Sequence, residues 1–378
     1  MNSEKIWLSS PHMGGNEQKY VQEAFDTNWV APLGPNVSGL EKDIEHYLRE
    51  DMHVAALSSG TAALHLGLVL LGVKAGDEVL CQSMTFSASA NPILYLGAIP
   101  VFIDSEKDTW NLCPLALEEA ITDRIAKGKK PKAIIGVHLY GMPFKVEEIM
   151  AVSKKYGIPV LEDSAEALGS TYKGQKCGTF SDLAALSFNG NKIITTSGGG
   201  ALVCKEKAVK DKTIFFATQS RDNAPHYQHS EIGYNYRMSN ICAGIGRGQM
   251  EVIDLRVSQR RAMHSFYQEV FKDNQEVSVF KEPHEDYFSN HWLSAILLDS
   301  YEKREALRLF LEKADVESRP LWKPMHLQPI FEKYPYYGTT VSEDLFKKGL
   351  CLPSGSNLTD IDKEKINKNI TSFFSTFV

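Results

Sequence analysis

Between about residues 54 and 204, short runs that are apolar on successive positions alternate with longer stretches of helical periodicity. The runs are Val54-Ala-Ala-Leu, Val79-Leu-Cys, Pro100-Val-Phe-Ile, Ala133-Ile-Ile-Gly-Val, Pro159-Val-Leu, Ala184-Ala-Leu-Ser-Phe and Ala201-Leu-Val-Cys. Runs without polar alternation fit strands buried on both faces. Residues 61–71, 114–127 and 146–156 read as helices between them. Several runs end in Ser, Asp or Gly, where a strand hands over to a turn. The pattern predicts an α/β fold, with a mostly parallel central sheet between helices. After about residue 262 the character changes: 292–298 reads as a strand, 302–313 and 360–374 as helices. The expected division is a large domain over 1–262, including an N-terminal substrate-loop segment, and a smaller C-terminal α+β domain over 263–378.

Composition narrows the classes. The 378 residues carry 41 basic against 47 acidic side chains, with no basic surplus to suggest nucleic acid. The first residues lack an apolar signal core, and the longest apolar stretch, 62–73, is interrupted by His65 and is too short to span a bilayer. Six scattered cysteines without a CxxC pair read as reduced packing residues, not a disulfide frame or a metal site. A cytoplasmic protein that binds neither nucleic acid nor membrane is expected.

In parallel sheets, ligands bind beyond the carboxyl ends of the strands. Three such ends stand out. Ser58-Ser-Gly60-Thr61 closes one run and opens a helix, whose free N–H groups suit a phosphate or carboxylate; an ordinary N-cap fits the same residues. Asp163 directly follows an apolar run, where a carboxylate needs a partner. A protonated pyridine nitrogen would serve, and so would a helix cap. Lys192 lies between two apolar runs, where partial desolvation would make its amine a better Schiff-base nucleophile. Gly198-Gly-Gly precedes a strand and lacks the order of a nucleotide loop. Phosphate turn, ring partner and lysine thus follow one another, with Lys192 29 positions after Asp163. Together they suggest pyridoxal 5'-phosphate held by Lys192. Phe86 could offer the ring an aromatic face, although core packing explains a lone Phe as well.

With these motifs the sequence resembles the DegT-like sugar aminotransferases, which are pyridoxal-phosphate (PLP) enzymes of fold type I. The resemblance rests on Ser59-Gly-Thr-Ala-Ala-Leu, Glu162-Asp-Ser-Ala-Glu-Ala, Ser187-Phe-Asn-Gly-Asn-Lys192, Ser197-Gly-Gly-Gly, Gly233-Tyr-Asn-Tyr-Arg237 and Arg319-Pro-Leu-Trp-Lys-Pro-Met-His326. Asn189-Gly-Asn-Lys and Thr196-Ser197 depart from the family's commoner His-Pro-Thr-Lys and Gly-Glu. With Ser10-Pro-His-Met-Gly-Gly-Asn16, Ala31-Pro-Leu-Gly34 and Cys351-Leu-Pro-Ser-Gly355, they resemble the subgroup that aminates C4 of a UDP-linked 2-acetamido-2,6-dideoxy-4-keto sugar in the N-acetylbacillosamine pathway. The resemblance implies that Gly60, Thr61 and Ser187 hold the cofactor phosphate, Phe86 stacks on the ring, Asp163 pairs with its nitrogen and Glu166 lies near its hydroxyl edge. Lys192 would carry the Schiff base, with pyridoxamine phosphate as the intermediate form. Asn235 would reach the phosphate of a neighbouring subunit in a homodimer. Arg319 and His326 would face the nucleotide sugar, and glutamate would be the donor.

Two other functions compete. A sugar dehydratase on this fold replaces the lysine by histidine, so Lys192 favours transamination. A PLP-binding regulator without turnover need not keep Asp163, Ser187 and Lys192 together. A dinucleotide dehydrogenase fails for want of a Gly-x-Gly-x-x-Gly turn after a strand.

Overall fold

All seven apolar runs become strands of one eight-stranded sheet in the computed structural model, which describes residues 5–49 and 51–376. From one edge to the other the strands are His53–Leu57, Gly200–Cys204, Leu183–Ser187, Val160–Asp163, Ala133–Val137, Glu78–Gln82, Ile99–Ile103 and Tyr336–Tyr337. Every pairing is parallel except the two made by Gly200–Cys204, which runs against both neighbours. Alternate residues of each strand enter different cores. Leu80 and Ile134 pack under the helices Pro114–Ala126 and Val146–Tyr156, while Val79, Ile135 and Leu161 pack under Gly60–Leu70. This two-sided burial is why the runs carry no polar alternation.

The C-terminal part builds a second, antiparallel sheet from Val277–Val279, Ser294–Leu298, Gly349–Leu352 and Arg319–Pro320. Tyr267, Ile296, Leu307, Leu350, Ile370 and Phe373 fill the core beside it. Three features cross between the halves of the chain. Helix Ile253–Phe271 runs unbroken through residue 262. Ile6 forms a parallel bridge to Val316. Tyr336–Tyr337 leaves the small sheet and extends the large one beside Ile99–Ile103, where Asp104 fastens it by accepting from the N–H groups of Thr339, Val341 and Ser342. Among the described residues no helix is long and apolar enough to cross a membrane.

Candidate active site

A cavity of about 750 Å³ opens at the carboxyl ends of the parallel strands. One wall is the turn Ser58–Thr61 leading into helix Gly60–Leu70. The Ser59 side chain caps that helix by accepting from the Ala62 N–H at 3.0 Å, which leaves the Gly60 and Thr61 N–H groups without a partner inside the helix. Glycine is required twice here by close approach. A Cβ on Gly60 would lie 2.9 Å from the Ser187 Cβ, and one on Gly200 would lie 2.4 Å from the Gly60 nitrogen. Strand Gly200–Cys204 can press on the turn only because both positions are bare. Ser187 at the end of its strand therefore shares the cavity with Gly60 and Thr61.

Asp163 ends its strand on the cavity floor and is 5% exposed. Its carboxylate accepts from the Ser89 hydroxyl at 2.6 Å and from the Ala165 N–H at 3.2 Å, and no cation among the described residues pairs with it. Its neighbour Glu162 points away from the cavity. There it accepts from the Gly178 and Ser181 N–H groups, the Ser181 hydroxyl and the His138 ring. Burial pushes Glu162 up, but His138 and the two N–H donors hold its carboxyl below the usual range. Of two adjacent buried carboxylates, only Asp163 faces the open space.

Lys192 follows strand Leu183–Ser187 and sits in the hairpin that returns through Gly200. Its Nζ donates to Glu166 Oε1 at 3.2 Å and lies 4.2 Å from the centre of the Trp292 ring, and the side chain is 11% exposed. Glu166 also accepts from the Tyr140 N–H at 2.8 Å. Burial raises its carboxyl to about 7; Lys192 opposes that rise and Asp163 adds to it. Phe86 is 56% exposed at the cavity mouth, with its ring 5.6 Å from that of Trp322.

The N-terminal strap Trp7–Pro11 lines the same cavity. The Glu317 carboxylate holds it by accepting from the Leu8 N–H at 2.9 Å, and the same group forms an ion pair with Arg319 at 2.8 Å. The structure thus brings Gly60, Thr61, Phe86, Asp163, Glu166, Ser187, Lys192 and Arg319 to one cavity.

Two expected site residues lie outside this cavity, Asn235 having been expected at a neighbouring subunit's phosphate. His326, expected to face the sugar nucleotide, is outside the lining. Its ring stacks on Tyr336 at 3.8 Å, and its Nδ1 makes a hydrogen bond of 2.7 Å with the Ser83 hydroxyl, so packing and a buried hydroxyl occupy it. Asn235 is exposed and also outside the lining; its backbone bridges to Thr218. Trp292, Ser89 and Glu317 were not singled out in the sequence. Nothing local marks them, because the contacts of Ser89 with Asp163, Trp292 with Asn191 and Glu317 with Leu8 span 74 to 309 positions of the chain.

A buried lysine, an unpaired buried carboxylate and an open helix start around one cavity define the class of lysine-bearing PLP enzymes. The model of the DegT/DnrJ/EryC1/StrS aminotransferase family matches residues 11–371, and the chain belongs to that family. Among its relatives is EpsN of Bacillus subtilis, named as a pyridoxal phosphate-dependent aminotransferase. It is 49% identical over 376 residues, covering 98% of this chain and 96% of the relative. The GDP-perosamine synthase of Escherichia coli O157:H7 is 39% identical over 374 residues, covering 98% and 99%. Among solved structures, a sugar aminotransferase of Streptococcus pneumoniae in its pyridoxamine-phosphate form superposes with a TM-score of 0.89 at 26% identity, covering 98% of each chain. The protein is a PLP-dependent sugar aminotransferase, and its fold is that of the family.

Proposed function

We propose that this enzyme moves the amino group of glutamate to the keto carbon, C4, of a nucleotide-linked deoxy sugar, with UDP-2-acetamido-2,6-dideoxy-4-hexulose as substrate, for surface glycan biosynthesis in the cytoplasm. One observation carries the reading. The Lys192 amine, the unpaired Asp163 carboxylate and the open start of helix Gly60–Leu70 all face one cavity.

The residues present fit the cofactor. The N–H groups of Gly60 and Thr61 and the Ser187 hydroxyl would hold the phosphate at a helix start. Asp163 would be the anion at the ring nitrogen, kept in one rotamer by Ser89 and the Ala165 N–H. The exposed Phe86 would cover one ring face, and Glu166 would lie near the hydroxyl edge. When bound, the cofactor supplies an electron sink for the pair released at the donor carbon. Lys192 anchors it at rest. With the cofactor bound, the free Lys192 amine would carry protons: it would accept the one from the α-carbon of glutamate and, in the second half of the exchange, donate one to the sugar carbon that gains nitrogen. The strap Trp7–Pro11, which lines the same cavity, would limit the access of water to that exchange. Arg319 is the cation available to substrate anions, and Asn235, exposed and outside this cavity, suits a phosphate contact across a homodimer.

The motifs around Asn189-Gly-Asn-Lys support the UDP-sugar reading, while the name GDP-perosamine synthase on one relative makes the nucleotide the first variable to test. A panel of UDP-, GDP- and dTDP-linked 3-keto and 4-keto sugars, offered with glutamate and read by mass, checks it. Amination of the UDP-linked 4-keto 2-acetamido sugar is the expected result. Amination of only 3-keto or only GDP-linked sugars would overturn the substrate. No conversion of any sugar, with no spectral change on adding glutamate, would return the protein to a binding role.

A further inference from the structure

Arg260, on helix Ile253–Phe271, is 1% exposed, and no carboxylate among the described residues pairs with it. A buried cation without a counter-ion is costly to desolvate, so its retention calls for specific contacts. Here the guanidinium makes two specific contacts. Its Nη1 donates to the Trp292 carbonyl at 2.7 Å, and its Nη2 donates to the Ser9 hydroxyl at 2.9 Å; Nε has no acceptor among the described residues.

Both contacts lead to one atom. The Ser9 hydroxyl in turn donates a hydrogen bond to the Asn191 carbonyl at 2.6 Å, and the Trp292 indole N–H donates to the same carbonyl at 2.7 Å. Asn191 immediately precedes Lys192, whose Nζ lies over that indole ring at 4.2 Å. Arg260 therefore closes a ring of donors joining the N-terminal strap, the Trp292 ring and the peptide that carries the lysine.

We propose that Arg260 is a positioning residue for Lys192, acting through Ser9, Trp292 and the Asn191 carbonyl to fix the direction in which the lysine amine enters the cavity. The inference rests on the reading of Lys192 given above. Without the ring of donors, the Asn189-Gly-Asn segment carries a glycine and no other side-chain bond to the strap among the described residues. Its backbone would then sample several conformations, and the amine would reach its proton-transfer geometry in only some of them.

Arg260→Met, Arg260→Lys and Ser9→Ala test this. Each is read by hydrogen exchange over residues 189–195 in cofactor-free protein, by the visible circular dichroism of the loaded enzyme, and by kcat and KM for glutamate. Expected are exchange at least tenfold faster over that segment, an altered visible band, and kcat about tenfold lower with KM changed less than threefold. The Ser9→Ala/Arg260→Met double variant should be no worse than Arg260→Met alone. Arg260→Lys, which keeps the charge and one donor, should recover part of the loss. Unchanged exchange and an unchanged visible band in Ser9→Ala would overturn the proposal, even where an Arg260 variant fails to fold. So would an Arg260→Met protein that only melts earlier with kcat intact. The exchange readout needs no cofactor, so it stands apart from any failure of the Lys192 assignment.

Discussion

Glu166 and Lys192 meet at 3.2 Å on the cavity floor, so a carboxyl that burial raises touches the amine that defines the site. The carboxyl is raised to about 7 from an ordinary 4.5, first by burial and further by Asp163, against the pull of Lys192. Below pH 4.5 folded and unfolded chains both hold this proton. Between there and pH 7 only the folded chain keeps it, and its contribution to stability is lost as the pH rises through that window. In cofactor-free protein, Glu166→Gln should therefore gain on the wild type from pH 5 to pH 8 by at most about 3 kcal/mol. Melting of both proteins at the two pH values measures it. A constant difference would show that the carboxyl ionises normally.

Lys192→Ala removes both the anchor and the proton carrier. Turnover should fall by more than about 10²-fold, the least that a positioned acid–base group supplies. The visible absorbance of lysine-bound cofactor should vanish. Normal turnover in the variant would refute the assignment.

Asp163→Asn keeps the shape and the hydrogen bond from Ser89 but deletes the charge. Glutamate turnover should drop on the order of 10²–10³-fold, the usual loss when one preorganised electrostatic group is removed. Ser89→Ala should cost much less, because it frees the Asp163 rotamer and leaves its charge. Single-turnover kinetics with glutamate separate the two, and equal losses would mean that Asp163 acts through its packing.

Gly200→Ala places a methyl group 2.4 Å from the Gly60 nitrogen, inside any tolerable contact. The turn must move or the strand must part, a distortion that costs about 1–3 kcal/mol. Cofactor affinity should weaken along with the melting temperature. Titration of cofactor-free protein with PLP checks it, and unchanged affinity would remove the turn from the phosphate site.

Arg319→Ala should raise KM for the nucleotide sugar at least tenfold and leave the half-reaction with glutamate within a factor of three. Glu317→Gln should mimic part of that effect by loosening the Leu8 strap and unpairing Arg319. A loss confined to the glutamate half-reaction would instead assign Arg319 to the donor carboxylate.

The central sheet was legible because strands buried on both faces must be apolar at every position, as in Ala133–Val137, and no surface pattern blurs that signal. The chemistry at strand ends was legible for a related reason: Asp163 and Lys192 are polar intrusions beside apolar runs. Tyr336–Tyr337 was not legible, since two residues carry no period and their place depends on Asp104, more than two hundred positions earlier. His326 shows the limit of reading a residue from its motif. Arg319 and His326 share one motif, yet Pro320 and the turn after it send the first to the cavity and the second against Tyr336. Trp292 lay at the start of a strand candidate, which says nothing of its partners; its ring packs in the core, while its edge reaches the lysine hairpin.

Gly200–Cys204, the strand of the large sheet that runs against its neighbours, has a consequence for what this sequence can tolerate. Ser187 and Gly200 are paired across the sheet, so the twelve residues between them leave and re-enter at the same rung. A crossover helix can absorb an inserted residue at either end, but this loop has no slack. Sliding the strand by one position would turn its side chains inside out, and the alternative is a bulge into the space the substrate needs. Lineages that diversify their sugars should therefore vary the strap and the residues at the cavity mouth freely, while the length of this hairpin stays fixed.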